Sequence, residues 1–252
     1  MTGRVSVVGL GPGRADWCTP AVAERLAAAT DLVGYGPYLD LIATPAPGRR
    51  HASGNRVEAD RADVALGLAA SGGDVVVVSS GDPGVFAMAS AVMERLATDP
   101  VRWATVDVEV LPGITAAQAV ASRVGAPLGH DFCVISLSDV LKPWEVVARR
   151  LDAAAGADFV IALYNPASRH RPWQYGRAIE IVAAHRGSTT PVVIGRNVGR
   201  PTEEIRVIDL AAAAAAGIDM STIVVIGSST TAVVPGRPLA SSVFTSRRHP
   251  GT

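Results

Sequence analysis

The chain has 252 residues, 48% of them hydrophobic, with 25 glycines and 17 prolines; this suits a compact α/β protein and excludes a disordered or fibrous one. Basic and acidic residues balance at 23 each, so the net charge of zero argues against a nucleic-acid or membrane-surface binder. Two cysteines, Cys18 and Cys133, stand far apart with no His cluster nearby, which argues against a disulfide framework and against a metal site.

No apolar run approaches the roughly 20 residues needed to span a bilayer. A strand pattern begins at Arg4 with no leader ahead of it, and the expected location is cytoplasmic. The first strand is expected over residues 5–10 and runs into Gly9-Leu10-Gly11-Pro12-Gly13. A dinucleotide fingerprint would need glycine at position 14, where Arg14 stands, and Pro12 has no amide to offer a pyrophosphate. A ligand-contacting loop and a plain turn both stay open here. Thr19-Pro20 reads as the cap and first residue of a helix over 20–29.

A strand over 32–35, a helix over 61–70 and a strand over 75–79 follow. The last contains four consecutive valines, Val75 to Val78, as expected for a strand buried on both faces. It breaks at Ser80-Gly81-Asp82-Pro83-Gly84, and a helical apolar period resumes through Val85, Met88, Val92 and Leu96. Asp82 as helix cap with Pro83 in the first turn explains two of these residues. It leaves Gly81 and Gly84 unexplained. Glycine lets a ligand approach the backbone closely, and in open α/β sheets ligands collect outside the carboxyl ends of strands.

A strand over 106–111 leads into Pro112-Gly113-Ile114-Thr115-Ala116-Ala117, read as a hinge with Thr115 capping a helix over 115–124. The small side chains there would leave room for a bulky ligand. The expected domains are an N-terminal α/β domain over 1–112, a C-terminal one over 113–240, and a tail over 241–252, with the Ser-, Arg- and Pro-rich stretch after Pro235 expected to be poorly ordered. Strands over 132–137, 159–163, 192–194, 205–208 and 223–226 alternate with helices over 144–154 and 173–185. That alternation implies α/β domains with mostly parallel or mixed sheets.

His130-Asp131 and Ser138-Asp139 flank the strand at 132–137, and no Ser-His-Asp or Cys-His arrangement follows from spacing. Lys142 is the only lysine, read as compositional bias toward arginine. Two strand-ending loops carry arginines: Arg169 and Arg171 within 164–173, and Arg196 and Arg200 in Arg196-Asn197-Val198-Gly199-Arg200. Guanidinium forks suit carboxylates, and two such loops point to an anionic ligand.

The G-x-G-P-G loop, the Gly81-Asp82-Pro83 turn and Pro112-Gly113-Ile114-Thr115-Ala116 together resemble the tetrapyrrole methylase family, S-adenosylmethionine-dependent enzymes of corrin and sirohaem synthesis. The likeness covers residues 5–231. A narrower set resembles the branch that methylates carbon 17 of the macrocycle and contracts it: Val33-Gly34-Tyr35, the stretch 129–139, Pro143-Trp144-Glu145, Leu163-Tyr164-Asn165-Pro166 and the Arg196 loop. The resemblance implies two α/β domains with a ligand trough between them, a homodimer, a precorrin as substrate and S-adenosyl-L-methionine as methyl donor.

It implies cofactor contacts from Pro12, Ser80, Gly81, Asp82, Val85, Thr115, Ala116, Asn165, Asn197 and Gly199, with Gly11 and Gly13 facing the tetrapyrrole. Arg169, Arg171, Arg196 and Arg200 would clamp its carboxylates. Ring contraction needs proton movement, for which Asp82, Asp16, His130 and Asp139 are the candidates. Arg14 departs from the family, which often has Asp there, and Asp16 is the nearest replacement. A sibling methylase acting at another ring carbon, a same-fold methylase of RNA or protein, and a non-catalytic binding module are the competing readings.

Overall fold

The computed structural model describes residues 3–42, 45–55, 57–168 and 171–248. The chain divides into two compact units between Thr115 and Ala116. In the first, β1 (Arg4–Gly9), β2 (Asp31–Tyr35), β3 (Arg49–Ser53), β4 (Asp74–Ser79) and β5 (Asp107–Leu111) form one parallel sheet in the order β3-β2-β4-β1-β5. The valine run is the body of the central strand β4. Side chains alternate across a strand, so Val75 and Val77 join Val5, Val7, Leu66 and Val92 on one face. Val76 and Val78 join Val8, Leu26 and Leu32 on the other. All four valines are 1% exposed or less.

Helices α3 (Glu58–Ala70) and α4 (Met88–Thr98) supply the first of these cores and α1 (Pro20–Ala28) the second. The expected cap of α1 is present, with Thr19 Oγ1 accepting from the Val22 N–H at 3.3 Å. The short α2 (Gly36–Leu39) and the strand β3 carry no periodic apolar signal. β3 reads Arg-Arg-His-Ala-Ser and is a sheet edge, where charged residues guard unpaired backbone. It is fastened by Arg49 and His51, which lie 3.1 and 2.7 Å from the carboxylate of Asp31. Burial pushes the Asp31 carboxyl up, but hydrogen bonds from His51 and Thr30 and the Arg49 charge outweigh it and hold the group below its usual range.

The second unit holds a mixed sheet. β7 (Phe132–Ser136) and β8 (Val160–Tyr164) are parallel, whereas β9 (Pro191–Arg196), β10 (Glu204–Asp209) and β11 (Thr222–Ile226) join through antiparallel pairs in the order β10-β9-β11-β8-β7. Ile161, Leu163, Ile194 and Val224 form its core with Val147 and Leu151 of α6 (Trp144–Gly156) and Ile179 of α7 (Gln174–Ala183). The helix α5 (Ala116–Ala121) follows Thr115 directly. Its small residues Ala117, Ala119 and Val120 are buried in the unit's own packing, and a Cβ on Gly195 would lie 2.5 Å from Val120. Thr115 and Ala116, ahead of that packing, are only half-buried.

A third sheet joins β6 (Gly125–Ala126), β12 (Thr231–Val233) and β13 (Val243–Thr245). The expectation of a poorly ordered tail fails at β13. Val243 is 1% exposed, and its N–H donates to the Val124 carbonyl at 2.8 Å. The four-residue α8 (Leu210–Ala213) occupies the alanine run before β11. Among the described residues, no helix is long and apolar enough to cross a membrane.

Candidate active site

Strands β4, β1 and β5 are neighbours, and the loops leaving their carboxyl ends cross through backbone. Gly11 and Gly81 exchange N–H to carbonyl bonds of 3.1 and 2.8 Å, with left-handed φ of +72° and +70°. A Cβ on Gly9 would lie 2.4 Å from the Gly81 oxygen, and one on Gly113 would lie 2.3 Å from it and 2.6 Å from the Gly9 oxygen. Chain crossing therefore demands these glycines, a different reason from ligand approach. Gly81 differs from the other two. Beside its Cβ position the nearest atoms, from Ile114 and Thr115, are 3.9 Å away, an ordinary contact distance, so it is the positive φ and not crowding that favours glycine there.

Asp82 fastens the crossing. Its Oδ1 accepts the Gly84 N–H at 2.8 Å and its Oδ2 accepts the Gly113 N–H at 3.1 Å. It does not cap α4, which starts at Met88 after Ala87. With both oxygens bonded to backbone, Asp82 shapes the turn, and this corrects its reading as a helix cap. Pro12 is buried beside Gly11, Ser80 is half-buried, and Val85 precedes Phe86, an aromatic residue 50% exposed at φ +54°. Next to Gly13, Arg14 makes a two-pronged ion pair with Asp16, with Nε to Oδ1 at 2.8 Å, and its guanidinium lies 5.5 Å from the Trp17 ring centre. Arg14 thus engages the very acid expected to replace the family's aspartate.

Arg61 escaped the sequence reading. It is 5% exposed and donates to Ser53 Oγ at 2.8 Å, to the Gly54 carbonyl at 2.6 Å and toward the Met88 sulfur at 3.2 Å. It ties α3 to the loop after β3 and to the start of α4. Nothing in its helical context marks it off from a surface arginine.

In the second unit the carboxyl ends of β7, β8 and β9 share one edge. Asn165, at φ +50°, donates from Nδ2 to Ser136 Oγ at 3.0 Å, and its carbonyl accepts from Arg171 at 2.9 Å. Arg171 is 7% exposed, and it also lies 3.4 Å from the Met220 sulfur and 4.0 Å from the Asp139 carboxylate. Asp139 accepts from Gln174 Nε2 at 2.8 Å. The Tyr164 hydroxyl accepts the Ala117 N–H at 2.9 Å and holds the start of α5, next to Ala116, against the end of β8. The structure thus gathers Asn165, Asp139 and Arg171, and adds Ser136, Tyr164 and Gln174.

Other expected residues have structural work of their own. Arg196 pairs with Asp219 at 2.7 Å and with Glu204 at 3.8 Å. Burial pushes the Asp219 carboxyl up, yet hydrogen bonds from Arg196, Thr222 and the Ser221 amide, with the Arg196 charge, hold it below its usual range. Asn197, at φ +50°, donates to Thr202 at 3.0 Å, and its carbonyl accepts the Arg200 N–H at 2.9 Å. The Gly199 N–H donates to Glu203 at 2.6 Å, and Arg123 pairs with that carboxylate at 2.9 Å. These bonds build the β9–β10 turn. Arg171 and Arg196 are thus each engaged by partners in their own unit, and Arg169 lies outside the described residues. His130 stands at the amino end of β7, the opposite edge from Asn165 and Asp139, with Nδ1 accepting the Asp131 N–H at 2.7 Å.

A parallel sheet whose strand-ending loops cross on glycines, followed by a mixed-sheet unit, defines an α/β protein, a class in which ligands collect at the carboxyl edges of sheets. Residues 4–220 match the Tetrapyrrole (Corrin/Porphyrin) Methylases, and the chain belongs to that family. It is 53% identical over 251 residues to the precorrin-3B C(17)-methyltransferase of Sinorhizobium sp, covering 100% of this chain and 99% of that one. It is 55% identical over 254 residues to the cobalamin biosynthesis protein CobIJ of Mycobacterium tuberculosis (strain ATCC 25618 / H37Rv), covering 99% of this chain and 49% of that protein. The chain therefore spans about half the length of that relative. The crystal structure of the methyltransferase CobJ matches with a TM-score of 0.88 at 47% identity, covering 97% of this chain and 100% of that one.

Proposed function

We propose that the chain is an S-adenosylmethionine-dependent methyltransferase that acts on carbon 17 of precorrin-3B, or of its cobalt form, and contracts the ring. The observation that carries this is the 53% identity with the Sinorhizobium enzyme across both full lengths. The donor, when bound, supplies a methyl group on a sulfonium; the bond to carbon 17 forms as the sulfur–methyl bond breaks. Such a displacement needs aligned reactants more than a base, and alignment is worth about 7–11 kcal/mol.

The half-buried, uncrowded backbone at Gly81 supports donor binding by Pro12, Ser80, Gly81, Val85 and Thr115 in the first unit, on a turn that Asp82 keeps in shape. Ala116 and Asn165 are the second unit's proposed contributions. Gly11 and Gly13 are proposed to face the tetrapyrrole. Ring contraction moves one ring carbon–carbon bond off carbon 20 to close the smaller macrocycle as the hydroxyl there becomes a carbonyl, so a group must take the hydroxyl proton. Asp16, Asp82 and Asp139 are each engaged by partners and His130 stands at the other edge of its sheet, so all four remain candidates for that role. The same reading carries a cytoplasmic homodimer, which sedimentation of the purified chain checks.

The test is incubation with metal-free and with cobalt-loaded substrate and a donor carrying a carbon-13 methyl. The expected product has one labelled methyl on carbon 17 of a contracted ring. Label at another ring carbon would establish a sibling activity, and donor binding without any S-adenosylhomocysteine release would establish a binding module.

A further inference from the structure

Lys142 lies in the loop between β7 and α6, at the sheet edge that carries Asn165 and Asp139. It is the only lysine in a chain that otherwise draws its cations from arginine. Its ammonium has three donors, and one goes to the Ser138 carbonyl at 3.2 Å. Burial pushes the Lys142 amine below its usual range, and the Arg150 and Arg171 charges push it further, against the pull of Asp139. Asp139 is itself bonded to Gln174 and lies 4.0 Å from Arg171. The charges of Arg150 and Arg171 thus act against Lys142, and the one opposing carboxylate already has partners. An incoming anion would relieve that repulsion, and a compact ammonium with donors to spare is suited to meet it.

We propose that Lys142 binds a peripheral carboxylate of the tetrapyrrole substrate. This inference rests on the proposed function. It gives Lys142 the role that Arg171 and Arg196, both held by partners in their own unit, do not fill.

A single lysine makes the test direct. Reductive methylation with carbon-13 formaldehyde keeps the charge and labels Lys142, apart from the terminal amine. The labelled protein is titrated with precorrin-3B in the presence of S-adenosylhomocysteine, which prevents turnover, and binding is followed by the visible absorbance of the tetrapyrrole. The Lys142 resonance is expected to move in step with the absorbance, and its titration midpoint to rise in the complex. Lys142→Gln should weaken tetrapyrrole binding by about ten- to a hundredfold, with Lys142→Arg restoring part of it and the unfolding midpoint of both unchanged. Saturation of the absorbance with an unmoved resonance, or wild-type affinity in Lys142→Gln, would overturn the inference. No binding by the unaltered protein would overturn the proposed function, and this inference with it.

Discussion

The two units build the carboxyl edges of their sheets from different material. In the first, the edge is backbone: the loops after β1, β4 and β5 cross at Gly9, Gly81 and Gly113 with no room for a side chain at Gly9 or Gly113. In the second it is side chain: Ser136, Asn165, Arg171, Asp139 and Gln174 bond to one another or to backbone. A backbone crossing admits only glycine and so marks the sequence. A side-chain network uses residue types that also populate ordinary surfaces, and it leaves little trace.

The sharpest way to break this comparison is Gly113→Ala. The new Cβ would sit 2.3 Å from the Gly81 oxygen, an atom that moves only if the backbone moves. Overpacking of this kind costs about 1–3 kcal/mol and occasionally more, with the upper end expected against rigid backbone, read as a lower denaturant midpoint. Gly84→Ala is the contrast, since its Cβ meets only the Asp82 carboxylate at 3.2 Å. Equal losses in the two variants would mean that the crossing is not a rigid feature.

Arg171→Met addresses the second unit at the next largest scale. It leaves the Asn165 carbonyl without its donor and removes the guanidinium beside the Asp139 carboxylate. Removing one member of a buried polar network costs about 3 kcal/mol, expected here as a lower thermal midpoint. Unchanged stability would return Arg171 to the substrate-clamp role.

These contrasts show what was legible beforehand and why. The valine run announced β4 because burial on both faces leaves no polar position. Gly9 and Gly113 stood out as glycines, but their reason depends on strands 100 residues apart in sequence becoming neighbours. Asp82 stood out too, yet whether it caps a helix depends on where α4 starts, and that start is set at Met88 by its packing on the sheet. The arginine-bearing loops do follow the carboxyl ends of β8 and β9. Whether an arginine is free depends on residues far along the chain, such as Asp219 and Met220, that no local spacing reveals.

β3 sharpens the comparison because it is a side-chain-fastened place within the backbone-built unit. Asp31 is 2% exposed and bonds Thr30, Arg49 and His51. Its folded carboxyl titrates below the unfolded value, so its stabilisation is present above the unfolded pKa of about 4. That stabilisation is lost as the pH falls through the lower, folded value. Asp31→Asn should cost about 1–2 kcal/mol at neutral pH, and the stability curves of variant and wild type should converge in acid. A constant gap across the acid range would show that the carboxylate charge is not what holds β3.

The smallest effect belongs to Arg196. It stands at a strand's carboxyl end, where a clamp was expected, but Asp219 and Glu204 already engage its guanidinium. The pair is largely exposed to water, and exposed pairs add little to stability and are screened by salt. Arg196→Met should therefore give a slight loss of thermal midpoint that disappears at high salt. If the guanidinium belongs to its own unit, the KM for the tetrapyrrole should stay within about twofold of wild type. A tenfold rise in KM at unchanged kcat would mean that the ion pair opens to receive the substrate. The second unit's edge would then be a set of partners waiting to be exchanged, and Asp219 would be the group that keeps Arg196 in place until substrate arrives.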